Sequence, residues 1–324
     1  MRALTTAQRI DVHQHVLPPF WVEALRQRKS VHRPPAWSPE AALSFMDSRR
    51  IGKGFLSLTA PGVEAWAPDD RRTIARDVNE YTAGLARRWP DRFGHFATLP
   101  LPDIEGALIE VAYAMDTLAA DGVVLLSNYG DRFLGDPSFE PLWAELDRRS
   151  AVVLIHPTRT SLPPIEGIPA PFIDFPFATT RTACDMVLKG VVDRHRAMRV
   201  ILSHAGGFLP YGVHRFVACA TTLPGSPASD ALMDGFRRFY FDTALSSSPT
   251  AIPSLKAFAD PSRILFGSDF PYVPGGPDEQ FTSLLDANRV LSEAEHASID
   301  CGNAEVLFAA ASPSGPAPNA QTDR

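Results

Sequence analysis

His13 and His15 stand one residue apart at the end of the short apolar run Arg9-Ile-Asp-Val-His-Gln-His-Val16. In a strand, alternate side chains share a face. The two imidazoles then project together and Gln14 points away. Neutral imidazole is a common ligand for divalent metals, so such a pair could hold one. A lone His-x-His is weak grounds for that, but three later runs repeat the arrangement. Val152-Val-Leu-Ile-His156 precedes Pro157, Val200-Ile-Leu-Ser-His204 precedes Ala205-Gly-Gly207, and Ile264-Leu-Phe-Gly-Ser-Asp269 precedes Phe270 and Pro271. Each reads as a strand buried on both faces and ended by turn residues. Each delivers a group that can bind a metal or move a proton at its carboxyl end.

These groups need a scaffold that gathers strand ends. Strand-like runs fall at 9–15, 52–59, 93–99, 122–127, 151–156, 199–204, 238–242 and 263–268. Helix-like segments lie between them, at 70–89, 104–120, 137–149 and 176–194. In 104–120 the apolar residues Ile104, Leu108, Val111, Met115 and Leu118 fall near helical spacing, with Asp103 and Asp121-Gly122 as start and stop signals. Strand and helix alternating eight times predict a parallel sheet closed into a (β/α)8 TIM barrel, an α/β fold. Such barrels carry their active sites at the carboxyl ends of the strands. The domain is expected to span residues 1–310, with a Pro-, Ala- and Ser-rich disordered tail over 311–324. Long connections at 17–40, 157–175 and 220–236 read as lids or partner contacts.

Composition narrows the function classes. The 324 residues are 45% hydrophobic and carry a net charge of −6. No basic stripe points to nucleic acid, and no apolar run reaches membrane-spanning length. Residues Met1 to Gln8 lack the apolar stretch of a signal peptide. Cys184, Cys219 and Cys301 are far apart and odd in number, which reads as free thiols in a reducing cytoplasm.

Several segments together carry a family resemblance. They are Asp11-Val-His-Gln-His15, Arg92-Phe-Gly-His-Phe-Ala-Thr-Leu-Pro100, Asp121-Gly-Val-Val-Leu-Leu-Ser-Asn-Tyr-Gly130, Ile155-His-Pro157, Ser203-His-Ala-Gly-Gly207 and Leu265-Phe-Gly-Ser-Asp-Phe-Pro271. The chain resembles the amidohydrolase superfamily, in particular the decarboxylases typified by aminocarboxymuconate semialdehyde decarboxylase and their 6-methylsalicylate decarboxylase-like branch. The resemblance implies that His13, His15, His156 and Asp269 bind metal and that His204 transfers protons. Asp269 would also handle a proton. Binuclear members carry a bridging lysine at the end of strand four. Here that segment reads Leu125-Leu-Ser-Asn-Tyr-Gly130, so one divalent ion is expected. Zinc suits the donor set, with manganese as the alternative. Arg215, eleven residues after His204, matches an arginine that reaches a neighbouring subunit's pocket and holds a substrate carboxylate. This implies a homodimer. Tyr272 matches an aromatic lining the substrate pocket. A second family arginine has no secure match; Arg49 and Arg50 are candidates.

Other residues have plainer readings beside functional ones. His95 is expected in core or pocket-wall packing. His32, His195, His214 and His296 lie in polar stretches and are expected to be solvated. Asp242 either orients a ligand histidine or caps a helix. Gly206-Gly207 either admit a ligand closely or form a tight turn. Phe172, Phe175 and Phe177 are packing residues or pocket walls. The expected activity is non-oxidative decarboxylation of a salicylate-type or muconate-like carboxylic acid. Hydrolysis of a lactone or amide and a non-catalytic metal-binding scaffold are the alternatives.

Overall fold

The computed structural model describes residues 8–28, 33–272 and 277–310, with the side chains of 277–280 excepted. Eight parallel strands follow one another around a barrel: β1 (Arg9–Val16), β2 (Ile51–Leu58), β3 (Phe93–Thr98), β4 (Gly122–Leu126), β5 (Val152–His156), β6 (Arg199–Leu202), β7 (Tyr240–Asp242) and β8 (Ile264–Leu265). Each run expected from sequence is present. Main-chain bonds from Val12 N to Phe266 O, Asp269 N to His13 O and His15 N to Phe270 O join the last strand to the first. The expected eight-unit barrel is the observed fold.

The helices pack outside: α1 (Pro19–Gln27), α2 (Pro39–Ser48), α3 (Pro68–Arg88), α4 (Ile104–Asp116), α5 (Glu140–Arg148), α6 (Ala170–Leu188), α7 (Val191–Arg194), α8 (Leu209–Ala220), α9 (Ser229–Arg237), α10 (Ala251–Phe258), α11 (Pro277–Asp286), α12 (Glu293–Ala297) and α13 (Asn303–Ala309). Asp103 caps α4 by accepting from Gly106 N at 3.0 Å, as its position predicts. That helix ends at Asp116, short of 120, and Ala119 turns the chain at φ 55° toward β4. The helix expected over 176–194 starts earlier and breaks in two. Pro176 lies inside α6, and Gly190 at φ 70° separates α6 from α7. The connections at 17–40 and 220–236 contain helices α1 and α9.

Two apolar layers hold the barrel. Inside it, Val12, Phe55, Phe96, Val124, Leu154, Ile201 and Leu265 meet, and Ala304 and Leu307 of α13 join them. Phe308 stacks on Phe55 at 3.9 Å, so α13 plugs the amino end of the barrel. Outside it, residues such as Phe93, Ala97, Val123, Val153, Leu202 and Phe266 pack against the helices. The carboxyl end is left to polar groups.

Candidate metal centre and active site

The first strand carries the feature that makes the site possible. Asp11 pairs with Gly54 but Gln14 with Leu56, so β1 holds one residue more than β2 over this stretch. This bulge changes which parity faces inward. Val12 stays in the inner core, and His13 and His15 then point into the mouth. Gln14 turns back to Asp11, its Nε2 donating at 3.1 Å. The pairing of the two histidines and the opposite orientation of Gln14 follow the alternation read from sequence.

His13, His15, His156 and Asp269 are all buried, and one ligand atom from each lies within 4.8 Å of every other. His13 Nδ1 meets Asp242 Oδ2 at 2.7 Å. His15 Nδ1 meets the Ser57 carbonyl at 3.2 Å. With both Nδ1 atoms so engaged, both Nε2 atoms face the centre of the cluster. They are 3.2 Å apart, and Asp269 Oδ1 lies 3.2 Å from the first and 3.0 Å from the second. Three polar atoms this close suit a shared cation, whether a proton or a metal ion. Burial would lower His13, but Asp242 and Asp269 outweigh it and push it up to about 10. Burial lowers His15 and His156, keeping them neutral as ligands must be. His156 Nδ1 is buried without a hydrogen-bond partner. Burial alone would raise Asp269. Hydrogen bonds from His13, His15 and His204 instead hold it well below the usual carboxylate range. Three imidazoles and a carboxylate with an orphaned nitrogen among them fit one divalent ion.

His204 stands beside this cluster. Its Nε2 is 3.6 Å from Asp269 Oδ2, and its ring is 5.0 Å from that of His13. Its backbone has φ 56°, followed by Ala205 at 54°, Gly206 at 75° and Gly207 at 67°. Two non-glycine residues in the left-handed region are costly, and such strain concentrates at functional sites. Asp242 Oδ1 holds the turn by accepting from His204 N at 2.9 Å and Ala244 N at 3.0 Å. Asp242 therefore orients a candidate ligand and supports the turn carrying His204. It caps no helix. Gly206 and Gly207 serve the tight turn. A Cβ on Gly207 would lie 2.0 Å from the Pro176 carbonyl of α6, so the close approach is to backbone and not to a ligand.

At the end of β4, where the sequence has no lysine, Ser127 and Asn128 hold the β5 loop. Ser127 Oγ accepts from Thr158 N at 3.1 Å, and Asn128 Nδ2 donates to the Arg159 carbonyl at 3.0 Å. Tyr272 packs edge-on to His15 with centroids 5.4 Å apart. It adjoins a cluster containing Leu17, Trp21, Leu58 and Trp66. Phe175 lies 6.2 Å from the His156 ring, whereas Phe172 and Phe177 face outward.

Some expectations fail. Arg49 and Arg50 immediately precede β2, at its amino end, so they cannot reach the mouth. His195 is buried, with Nε2 2.8 Å from Glu140 Oε1. His296 is half-buried against the Asn288 carbonyl. His214 is exposed as expected, and His32 lies outside the described residues. His95 faces the helical layer, with neither ring nitrogen hydrogen-bonded, and burial lowers it to about 4. Arg215 is exposed on α8 and forms no ion pair among the described residues. The sequence reading missed the role of Asp11, which accepts from His13 N, Ser268 N and Gln14 and ties β1 to the chain after β8. Its place two residues before His13 was the available signal.

Comparison with known proteins gives this arrangement a context. A family model described as amidohydrolase matches residues 10–309. A 6-methylsalicylic acid decarboxylase from Penicillium expansum is 38% identical over 319 residues, covering 93% of this chain and 96% of that relative. The crystal structure of an amidohydrolase II superposes with a TM-score of 0.87 at 30% identity, covering 93% of this chain and 100% of the other. A 2,6-dihydroxybenzoate decarboxylase complexed with 2,6-dihydroxybenzoate superposes with a TM-score of 0.79 at 25% identity, covering 93% and 99%. With its barrel, its strand-end histidines and these matches, the chain belongs to the amidohydrolase family.

Proposed function

We propose that this protein is a metal-dependent, non-oxidative decarboxylase of a salicylate-type aromatic acid. The observation that carries the reading is the nearly full-length likeness to a 6-methylsalicylic acid decarboxylase, in a chain whose strand ends bring proton-handling His204 beside a three-histidine, one-aspartate cluster. A compound of the 6-methylsalicylate kind is the substrate. Zinc is the ion that the His13, His15, His156 and Asp269 donors suit best, with manganese the alternative.

His13, His15, His156 and Asp269 would hold the divalent ion, which would supply positive charge to offset that of the acid substrate. Asp242 keeps His13 in the ligating tautomer. His204 delivers a proton to the ring carbon bearing the carboxylate and is left neutral, and Asp269 beside it favours the imidazolium that carries the proton beforehand. The ring–carboxylate bond then breaks, its electrons return to the ring, and carbon dioxide leaves. Tyr272 and its apolar neighbours exclude water from the ring.

Arg215 pairs with the carboxylate in the pocket of a second copy, which makes the working unit a homodimer. Its exposure and lack of an ion pair support this role. So does the exposed Tyr211, one turn before it on the same helix, at 91% accessible. No helix among the described residues is long and apolar enough to cross a membrane, and the free cysteines favour a cytoplasmic site of action.

Turnover in heavy water tests the reaction type. The product phenol should carry one deuterium at the carbon that bore the carboxylate. A hydrolase would leave that ring carbon unlabelled and its substituent in place.

A further inference from the structure

A second cavity opens at the opposite end of the barrel. It holds about 230 Å³ and is lined by Arg196, Arg199, Arg238, Arg263, His195 and Tyr240, among others. Arg199 opens β6, Tyr240 opens β7 and Arg263 immediately precedes β8, so this is the amino face, remote from the metal cluster. The arginines are fixed largely by carbonyl oxygens. Arg199 donates to the Ser150 and Ala310 carbonyls at 2.7 and 3.0 Å, Arg238 to the Arg196 carbonyl at 3.1 Å, and Arg263 to the Arg238 carbonyl at 2.7 Å. Arg263 also lies over the Tyr240 ring at 4.6 Å.

Few acids answer this charge. Arg196 reaches Asp193 at a loose 3.5 Å. Asp147 accepts from the backbone of Ala197 and Met198, and Glu140 is taken by Arg194 and His195. Arg199, Arg238 and Arg263 form no ion pair with any described carboxylate. Burial and the guanidiniums of Arg196 and Arg263 hold Arg238 below its ordinary value. Four like charges around a void repel one another, and carbonyl oxygens do not neutralise them. An oxyanion in the void would do so through charge-assisted bonds from preoriented guanidiniums.

We propose that the cavity lined by Arg196, Arg199, Arg238 and Arg263 binds a doubly charged phosphate group, at a site separate from the catalytic mouth. Asp193 and Asp147 near Arg238 and Asp260 near Arg263 offset part of this charge, and the remaining positive rim suits an oxyanion.

Calorimetric titration of inorganic phosphate, and separately of adenosine monophosphate, into the metal-loaded chain tests this. One saturable site per chain is expected. Tighter binding of the nucleotide identifies a phosphate ester as the ligand, and equal or weaker binding identifies free phosphate. Substituting Arg196→Gln with Arg238→Gln should weaken binding at least about 10-fold. Substituting His13→Ala with His156→Ala should leave it unchanged. Phosphate should also slow amide exchange over residues 196–200 and 238–240 in the unmodified protein, a readout that needs no variant. Absence of saturable binding overturns the proposal. So does binding that is lost with the histidines and kept without the arginines, since the anion would then sit at the metal centre.

Discussion

Asp242 illustrates how much of the site depends on one side chain. One oxygen orients His13 and the other holds the backbone of the His204 turn. Replacing it with asparagine removes the charge that favours His13 and can reverse the bond's polarity. Metal affinity is expected to fall roughly 10–100-fold, the usual effect of losing such a partner, as measured by competition with a chromogenic chelator. A variant with unchanged affinity would show that His13 needs no support. His204→Gln should behave differently. It should retain metal while turnover falls about 100-fold or more, the scale of proton-transfer assistance. Near-normal turnover would remove His204 from the chemistry. The candidate ligands were legible because each ends an apolar run, and a barrel gathers strand ends. Asp11 was not, because the partner that ties it to the far end of the barrel, Ser268, lies 257 positions away and is brought in only by barrel closure.

The elements around the site explain which glycines matter. Gly207 and Gly225 both have positive φ, at 67° and 75°. A Cβ at Gly225 meets nothing within 4 Å, whereas at Gly207 it would lie 2.0 Å from the Pro176 carbonyl. Gly225→Ala should therefore cost only about 1 kcal/mol of backbone strain. Gly207→Ala adds overpacking of about 1–3 kcal/mol and displaces the His204 turn. Urea denaturation of both variants separates the two terms, and equal losses would contradict this packing. A milder acid effect belongs to α5. Arg194, and then His195, hold Glu140 at about 2 against its ordinary 4.5. A depressed carboxylate adds stability that is present above the unfolded value, so this contribution should vanish as pH falls from about 4.5 to about 2. Glu140→Gln should flatten the stability profile across that window, and an unaltered profile would contradict the pairing. Strand positions were readable from apolar runs with turn residues behind them. The bulge in β1 was not, because it answers to its register against β2, whereas the break at Gly190 had a local signal, the glycine itself, that the sequence reading passed over.

At the scale of the molecule, the barrel separates stability from chemistry. Helix α13 closes the amino end with Ala304, Leu307 and Phe308, and the carboxyl end is left to polar groups. The order of units was legible in the sequence. The outer face was not, because exposed apolar residues such as Phe172 and Tyr211 resemble core residues until their neighbours are known. If Arg215 serves a partner's pocket, Arg215→Ala and His204→Ala chains should each be poor enzymes, yet regain activity when mixed. In a mixed dimer one pocket keeps its own His204 and receives an intact Arg215. No recovery despite proven subunit exchange would confine Arg215 to its own chain.

The most direct measurement follows the carboxyl carbon. Metal-reconstituted protein is given 6-methylsalicylate labelled with ¹³C in its carboxyl group. The account predicts labelled carbon dioxide and 3-methylphenol in equal amounts, lost on metal removal, restored by zinc or manganese, and absent in a His13→Ala, His156→Ala variant. Label retained on the ring in protein shown to hold its metal, or release that persists without metal, would contradict it.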